Sequence, residues 1–177
     1  MGNQIELLIR LQTVDQQLRE RTETIESLKA TVAAIQNELD ERRTALESCR
    51  AERAELEARR RDIEAVLADE ESKMKDRRLR LNRIRHAEEA AALRREIEVG
   101  KEGNQKHEED LLILFEALDG VNARESEIKT VFDELEARRT AAQEKADAEI
   151  AELSAGLDEA RGERETLAAG LEAAVRS

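Results

Sequence analysis

The residue types that most often carry catalysis or bind metal are few in this sequence. It contains one cysteine, Cys49, and two histidines, His86 and His107, which supply no ligand cluster at helical or ribbon spacing. Neighbouring carboxylates such as Glu108 and Glu109 are common, but on a solvated helix nothing shifts their pKa toward acid–base work. We therefore expect no enzymatic activity, no small-molecule substrate and no cofactor.

The chemistry that the sequence does favour is electrostatic. Between positions 73 and 95 there are nine lysines and arginines against three carboxylates, a net charge of +6, whereas the whole chain carries −12. A basic segment on an acidic protein can attract phosphates or an acidic protein surface. The segment lacks aromatic side chains for base stacking, so sequence-specific recognition of single-stranded RNA by this segment alone is not expected. The predicted binding residues are Lys73, Lys75, Arg77, Arg78, Arg80, Arg83, Arg85, His86, Arg94 and Arg95.

Composition indicates an extended helical protein. The 177 residues include no proline and two phenylalanines, and 41% of them are charged. Abundant Ala, Glu, Arg and Leu favours long helices, while so few aromatic residues argue against a compact globular core. The segment MGNQIELLIRLQTVDQQL lacks the features of a signal peptide, and no apolar run approaches the roughly 20 residues of a membrane span. We expect a cytoplasmic protein outside the membrane.

The spacing of apolar residues predicts where the helices pack. From Leu7 to Ile84 they recur at the first and fourth positions of one continuous heptad register, which is the pattern of a coiled coil. The next apolar seam residue is Ala90, and a step of six residues breaks the register. The sequence therefore predicts an all-α fold, a long antiparallel two-helix coiled-coil hairpin. It forms one domain over residues 1–177, with a first arm at about 3–84, a tip at about 85–89 and a second arm at about 90–175.

Folding the chain at about residue 87 brings the seam positions of the two arms opposite each other. Most polar seam residues then face apolar ones, as in Arg53 with Val121 and Arg42 with Phe132. An arginine can pack its methylenes along such a residue while its guanidinium stays in water. This agreement between two separately identified registers favours the hairpin.

A turn within VGKEGNQK is the competing prediction, because Gly100 and Gly103 are the strongest local helix breakers. It would leave arms of unequal length and would separate the turn from the register break. We expect instead a weakened seam, with Gly100 opposite Met74 and His107 opposite Leu67.

A further apolar face is predicted outside the seam. DLLILFEAL is the most apolar run of the chain, and it places Leu112, Ile113 and Phe115 away from the seam positions. With Leu8 and Ile9 at the other end of the hairpin, these residues could bind a partner helix or a second copy of the chain. The sequence leaves both alternatives open.

The segment RIRHAEEAAALRREIEVGK resembles a motif, typically V-K-N-x-x-E-Y-x-A-L-x-x-E-I, of a bacterial family of coiled-coil hairpins that end in a C4-type zinc ribbon. The opening LLIRLQTVDQQL is similar to that family's L-x-x-L-Q-x-x-D start. The matching residues are Leu11, Gln12, Asp15, Ile84, Arg85, His86, Glu89, Ala92, Leu93, Glu96 and Ile97.

This sequence departs from the family pattern in three ways. Ala90 stands where the family usually has tyrosine, His86 stands where asparagine is usual, and the two C-x-x-C pairs of the ribbon are absent. We expect either a truncated chain or a relative without the ribbon, and zinc would be present only with a ribbon. The resemblance implies a non-enzymatic role, since flagellar members of the family bind the sigma factor sigma-54 and flagellin messenger RNA.

Three functions are consistent with the sequence. The leading one is an adaptor or chaperone-like protein that binds a protein partner, such as a transcription, flagellar or secretion component, through its arms and basic tip. An RNA-binding accessory protein that uses the tip is the second, and a purely structural spacer is the third.

Overall fold

The computed structural model describes residues 2–176, and the side chains of residues 4–176; Met1 and Ser177, the ends of the predicted domain, lie outside the described residues. Helix α1 spans Gly2–Leu81 and helix α2 spans Ala87–Arg176. The two helices pack antiparallel against each other, as the heptad spacing predicts. The fold is thus the expected all-α helical hairpin, and it divides into two units, Met1–Arg42 with Val131–Ser177, and Arg43–Thr130.

The first unit is held together by apolar seam residues and by ion pairs across its edges. Two buried clusters form its core, and Asp15 accepts a hydrogen bond from Arg164 over 2.7 Å. The pairing of Arg10 with Glu163 confirms the antiparallel direction. The clusters contain Val14, Ala160 and Leu167 with Leu7, Leu11 and Leu18 around them, and Ile35, Leu39 and Leu135 with Phe132 and Ala142 around them.

Arg42, which the register places opposite Phe132, differs in exposure from the other described seam residues of the first arm. Phe132 packs against the cluster of Ile35 and Leu39, and Arg42 is exposed. Its guanidinium thus stays in water, as the prediction for a seam arginine requires.

The second unit contains the turn between the helices. The turn comprises residues 82–86, about three residues earlier than the predicted tip at 85–89. The backbone N–H groups of Arg83 and Ile84 both donate to the carbonyl of Arg80, so α1 closes with a tight last turn. Ile84 keeps its apolar contacts outside the helix, where it packs against a buried cluster of Met74, Leu93 and Ile97. Apolar spacing alone could not reveal that the helix had already ended.

Both helix ends at the turn carry charges of the favourable sign. Arg78 and Arg80 lie in the last turn of α1, and Glu88 and Glu89 lie in the first turn of α2. Cations stabilise the negative end of a helix dipole and anions the positive end, each by about 0.3–1 kcal/mol. These residues favour helix termination and restart at this place.

The alternative turn at VGKEGNQK is not adopted, since α2 is continuous through Gly100 and Gly103. A Cβ atom added to Gly100 would lie 3.0 Å from Sδ of Met74, so these two residues do face each other as the register predicted. Glycine at this seam position lets the bulky thioether approach the backbone of α2.

Candidate interaction site

The predicted basic residues surround the turn and are presented on both helix ends. Lys73, Lys75 and Arg77 to Arg80 belong to α1, Arg83 to His86 belong to the turn, and Arg94 and Arg95 lie two turns into α2. All ten predicted positions are exposed except Arg77, which is half-buried. The ten predicted binding residues, which lie within 23 positions of the sequence, are therefore close together at the turn end of the second unit.

Two of the predicted cations are held by carboxylates of the hairpin. Lys73 pairs with Asp69 over 2.6 Å and with Glu70 over 2.9 Å. Arg77 lies 3.7 Å from Glu70 and 3.5 Å from Glu96 across the seam. The hydrogen bond from Lys73 lowers the pKa of Glu70, and the bonds to Asp69 and Glu70 raise the pKa of Lys73. Lys73 and Arg77 thus already have carboxylate partners within the chain.

The remaining cations form what we call the basic turn. Within the described residues none of them forms an ion pair, and all are exposed. The nearby Asp76, Glu88 and Glu89 are exposed as well and are not bonded to them. The basic turn can therefore exchange water and counterions for an anionic group of another molecule. Its residues are Lys75, Arg78, Arg80, Arg83, Arg85, Arg94 and Arg95.

Apolar packing fixes the position of the basic turn. Ile84 and Leu81 pack against Met74, Leu93 and Ile97, of which the last three are 5–8% exposed. Arg83 and Arg85 flank Ile84 in the sequence, so the packing of Ile84 against this cluster holds the backbone of both arginines in place. A positioned set of cations loses less conformational freedom on binding than a flexible tail would.

Beside the basic turn the seam is thin and open. A groove of about 510 Å³ is lined by Val66 and Val99, by Gly100 and Gly103, and by Asn104, among others. Asn104 is 7% exposed, and its Oδ1 has no hydrogen-bond partner among the described atoms. The predicted seam histidine, His107, is half-buried and also lines the groove. This part of the hairpin is the weakened seam expected from the two glycines.

The predicted apolar stripe is separate from the basic turn. Leu112 and Ile113 are 65% and 64% exposed, and Phe115 is 43% exposed. Leu8 and Ile9, in the first unit, are exposed as well. Apolar side chains with such exposure are available for a further contact.

Metal ligands, the cysteine and membrane-spanning segments are the other features to locate in residues 4–176. This part of the chain contains no group of three or more His, Cys, Asp or Glu side chains arranged to hold a metal ion. Cys49 is buried, as expected for a small seam residue. Neither of the described helices contains an apolar segment long enough to cross a membrane.

One polar cluster was missed by sequence reasoning. Glu125 occupies a seam position of α2, and its side chain is 15% exposed. It accepts hydrogen bonds from Arg50 over 3.1 Å and from Arg53 over 2.5 Å. Arg53 was predicted to face Val121, one helical turn away, so the arginine reaches past an apolar neighbour to a carboxylate. A scan for charged residues at seam positions on the opposite arm could have found it.

Comparisons with known proteins bear on the fold. No protein-family model and no curated protein matches this chain. Among solved structures, the HP0958 protein from Helicobacter pylori superposes with a TM-score of 0.71 at 16% identity, over 94% of this chain and 70% of that one. A structurally characterised protein from Mycobacterium smegmatis gives a TM-score of 0.55 at 26% identity, over 96% of this chain and 72% of that one. The chain is thus similar in fold to bacterial proteins of known structure.

Proposed function

We propose that the chain is a non-enzymatic, cytoplasmic adaptor or chaperone-like hairpin that binds a protein partner through its basic turn and its arms. The observation that carries this proposal is the set of seven exposed cations that form no ion pair within the described residues. Elsewhere on the hairpin, some cations such as Arg53 and Arg164 are matched by carboxylates across the helices, and unpaired ones such as Arg43 lie in arms with an excess of acidic residues. An acidic protein surface is the natural complement of the basic turn, and charge complementarity would set both the rate and the orientation of binding.

The proposal includes membership of the zinc-ribbon hairpin family, for which the turn segment supplies support. Of the residues that resemble the family motif, Ile84, Leu93 and Ile97 form one apolar cluster, whereas Arg85 and Glu89 are exposed. Ile84, Leu93 and Ile97 thus serve packing, whereas Arg85 and Glu89 are available to bind. By extension from flagellar members of that family, the partner we propose is a transcription, flagellar or secretion component.

A pair of matched charge variants tests the proposal. In the first variant Arg80, Arg83 and Arg85 of the basic turn are each replaced by Glu. In the second, three exposed arm arginines without ion pairs in the described region are replaced in the same way. Both variants carry the same net charge, so a difference between them reports position and not total charge. The arm control replaces Arg43, Arg59 and Arg61.

The measurement is affinity capture from native cytoplasm followed by mass spectrometry, with helicity checked by circular dichroism. We expect the wild type and the arm control to retain the same proteins and the turn variant to lose them while remaining helical. Equal retention by all three proteins would refute a role for the basic turn. Capture of nothing by the wild type would leave the structural spacer as the better account.

The same seven cations favour a second candidate, an accessory protein that holds RNA backbone phosphates. Phosphate binding releases counterions, so the logarithm of the binding constant would fall steeply and linearly with the logarithm of salt concentration. Binding to an acidic protein that also buries apolar groups would fall less. Titration of the captured partner at several salt concentrations, with and without ribonuclease, separates the two candidates.

A further inference from the structure

Helix α2 carries a second heptad-spaced stripe outside its seam. The residues of this outer stripe follow one another at alternating intervals of four and three, the spacing of a helix-packing face. The stripe has two branched apolar side chains, three small residues and one pair of opposite charges. All of it lies in the second unit. Its residues are Val99, Gly103, Lys106, Asp110, Ile113, Ala117 and Gly120.

The outer stripe is unoccupied within the described chain. Val99 is 68% exposed and Ile113 is 64% exposed. Lys106 and Asp110 are exposed, and neither forms an ion pair with another described residue, although they are four positions apart. A Cβ atom on Gly103 would meet nothing within 4 Å, and the groove of about 510 Å³ opens beside it.

We propose that the outer stripe binds the outer stripe of a second copy of this chain, with the two α2 helices antiparallel. In the register that places Lys106 of each copy opposite Asp110 of the other, two ion pairs form about a two-fold axis. The same register sets Ile113 of each copy opposite Gly103 of the other, where the open groove receives the side chain. Large residues then meet small ones and opposite charges meet, as a self-complementary interface requires.

Complementarity of the stripe with itself is the reason for choosing a second copy as the occupant. Shifting the antiparallel register by one helical turn would set Lys106 against Lys106 of the second copy, or Asp110 against Asp110, and would move Ile113 away from Gly103. A parallel pair would also stack like charges. If the partner were a different protein, its helix could supply one member of each pair, and this stripe would not need to contain both Lys106 and Asp110, or both Ile113 and Gly103. The outer stripe shares no residue with the basic turn, so this inference does not depend on the proposed function.

Charge exchange gives a test that is specific to the register. Sedimentation velocity over a range of concentrations should show dimers for the wild type. Lys106→Asp and Asp110→Lys should each replace two ion pairs by two like-charge contacts and raise the dimer Kd by about tenfold or more. The double variant, K106D with D110K, should restore the wild-type Kd. An equimolar mixture of the two single variants should form a heterodimer, because unlike charges again meet at both positions.

A steric variant tests the groove independently of charge. Gly103→Leu fills the space that Ile113 of the second copy would take and should abolish the dimer. Gly162→Leu is its matched control, since a Cβ there also meets nothing within 4 Å and the residue lies in the other unit. Both changes favour the helix, so circular dichroism should show both variants folded.

Three results of the sedimentation test with the charge variants would overturn the proposal. They are a wild type that stays monomeric at the highest concentrations, single charge variants that dimerise as tightly as the wild type, and a mixture of them that dimerises no better than either alone. A dimer that survives Gly103→Leu would show that some other face joins the two copies.

Discussion

Replacing Gly156 by alanine should separate the helix propensity of alanine from the cost of a close contact across the seam. In the first unit, Nη1 of Arg21 donates a hydrogen bond to the carbonyl oxygen of Gly156. A Cβ atom on Gly156 would lie 2.6 Å from Nη1 and 2.9 Å from Cζ of Arg21. Such distances force the guanidinium to move. At Gly162 and Gly170 the same Cβ would meet nothing within 4 Å.

The magnitudes follow from these distances. Alanine is about 1 kcal/mol more favourable than glycine in a helix interior, so Gly162→Ala and Gly170→Ala should each raise the free energy of unfolding by about that amount. At Gly156 the displaced guanidinium weakens a hydrogen bond with a net value of about 1 kcal/mol. The two effects nearly cancel, and Gly156→Ala should leave the stability close to that of the wild type.

Urea unfolding followed by far-ultraviolet circular dichroism measures these differences as shifts in midpoint at constant slope. A double-mutant cycle identifies the cause, because Gly156→Ala made in an Arg21→Ala background should regain the full increment of about 1 kcal/mol. The reasoning is wrong if Gly156→Ala stabilises the wild type as much as Gly162→Ala does. It is equally wrong if removal of Arg21 fails to restore the increment.

Three further predictions concern seam and edge residues. Glu125→Gln should lower the free energy of unfolding by about 1–2 kcal/mol in urea titrations, since a hydrogen-bonded charge is worth more than a neutral partner. Val121→Ala, at a side chain that is 1% exposed, should cost about 2 kcal/mol in the same titration, as buried methyl deletions do. Lys73→Met should raise the pKa of Glu70, measured by carboxyl NMR titration, toward its ordinary 4.5, because the lowering comes first from the Lys73 hydrogen bond. In the wild type, the lowered pKa of Glu70 means that this carboxylate stabilises the folded chain above its ordinary pKa, and that the stabilisation is lost as the pH falls through the pKa in the folded chain. The raised pKa of Lys73 means that its stabilisation is lost at alkaline pH, as the pH rises through the pKa in the folded chain.

The buried face of the hairpin was predictable because one physical requirement determines it. A helix that packs against one partner must repeat its apolar residues every three or four positions, and the described seam positions of the first arm are buried or half-buried with the exception of Arg42. Contacts between the arms followed from the register, as Gly100 and Met74 show. The turn was misplaced by about three residues, because Ile84 continues the apolar spacing after the helix has ended.

Charged positions were harder to predict, since a charge has several partners within reach and the spacing does not choose among them. The sequence grouped Lys73 and Arg77 with the binding cations, yet Asp69 and Glu70 hold Lys73, and Glu70 and Glu96 flank Arg77. It also missed that Arg53 reaches Glu125. Long, flexible side chains decide these contacts, and only the three-dimensional positions of the carboxylates reveal the result.

The cations of the basic turn do not all require a partner to explain them. Arg78 and Arg80 lie in the last turn of α1, where a positive charge stabilises the C-terminal end of the helix dipole. Their contribution to helix stability is therefore enough to explain their presence. Arg83 and Arg85 follow the end of that helix, and both are exposed. Their exposure therefore has no explanation within the hairpin, which makes them the residues whose binding role most directly tests the proposed function. A loss of binding caused by Arg83 and Arg85 alone would support an anionic partner, whereas a loss that requires Arg78 or Arg80 and is accompanied by lower helicity would reflect the end of α1.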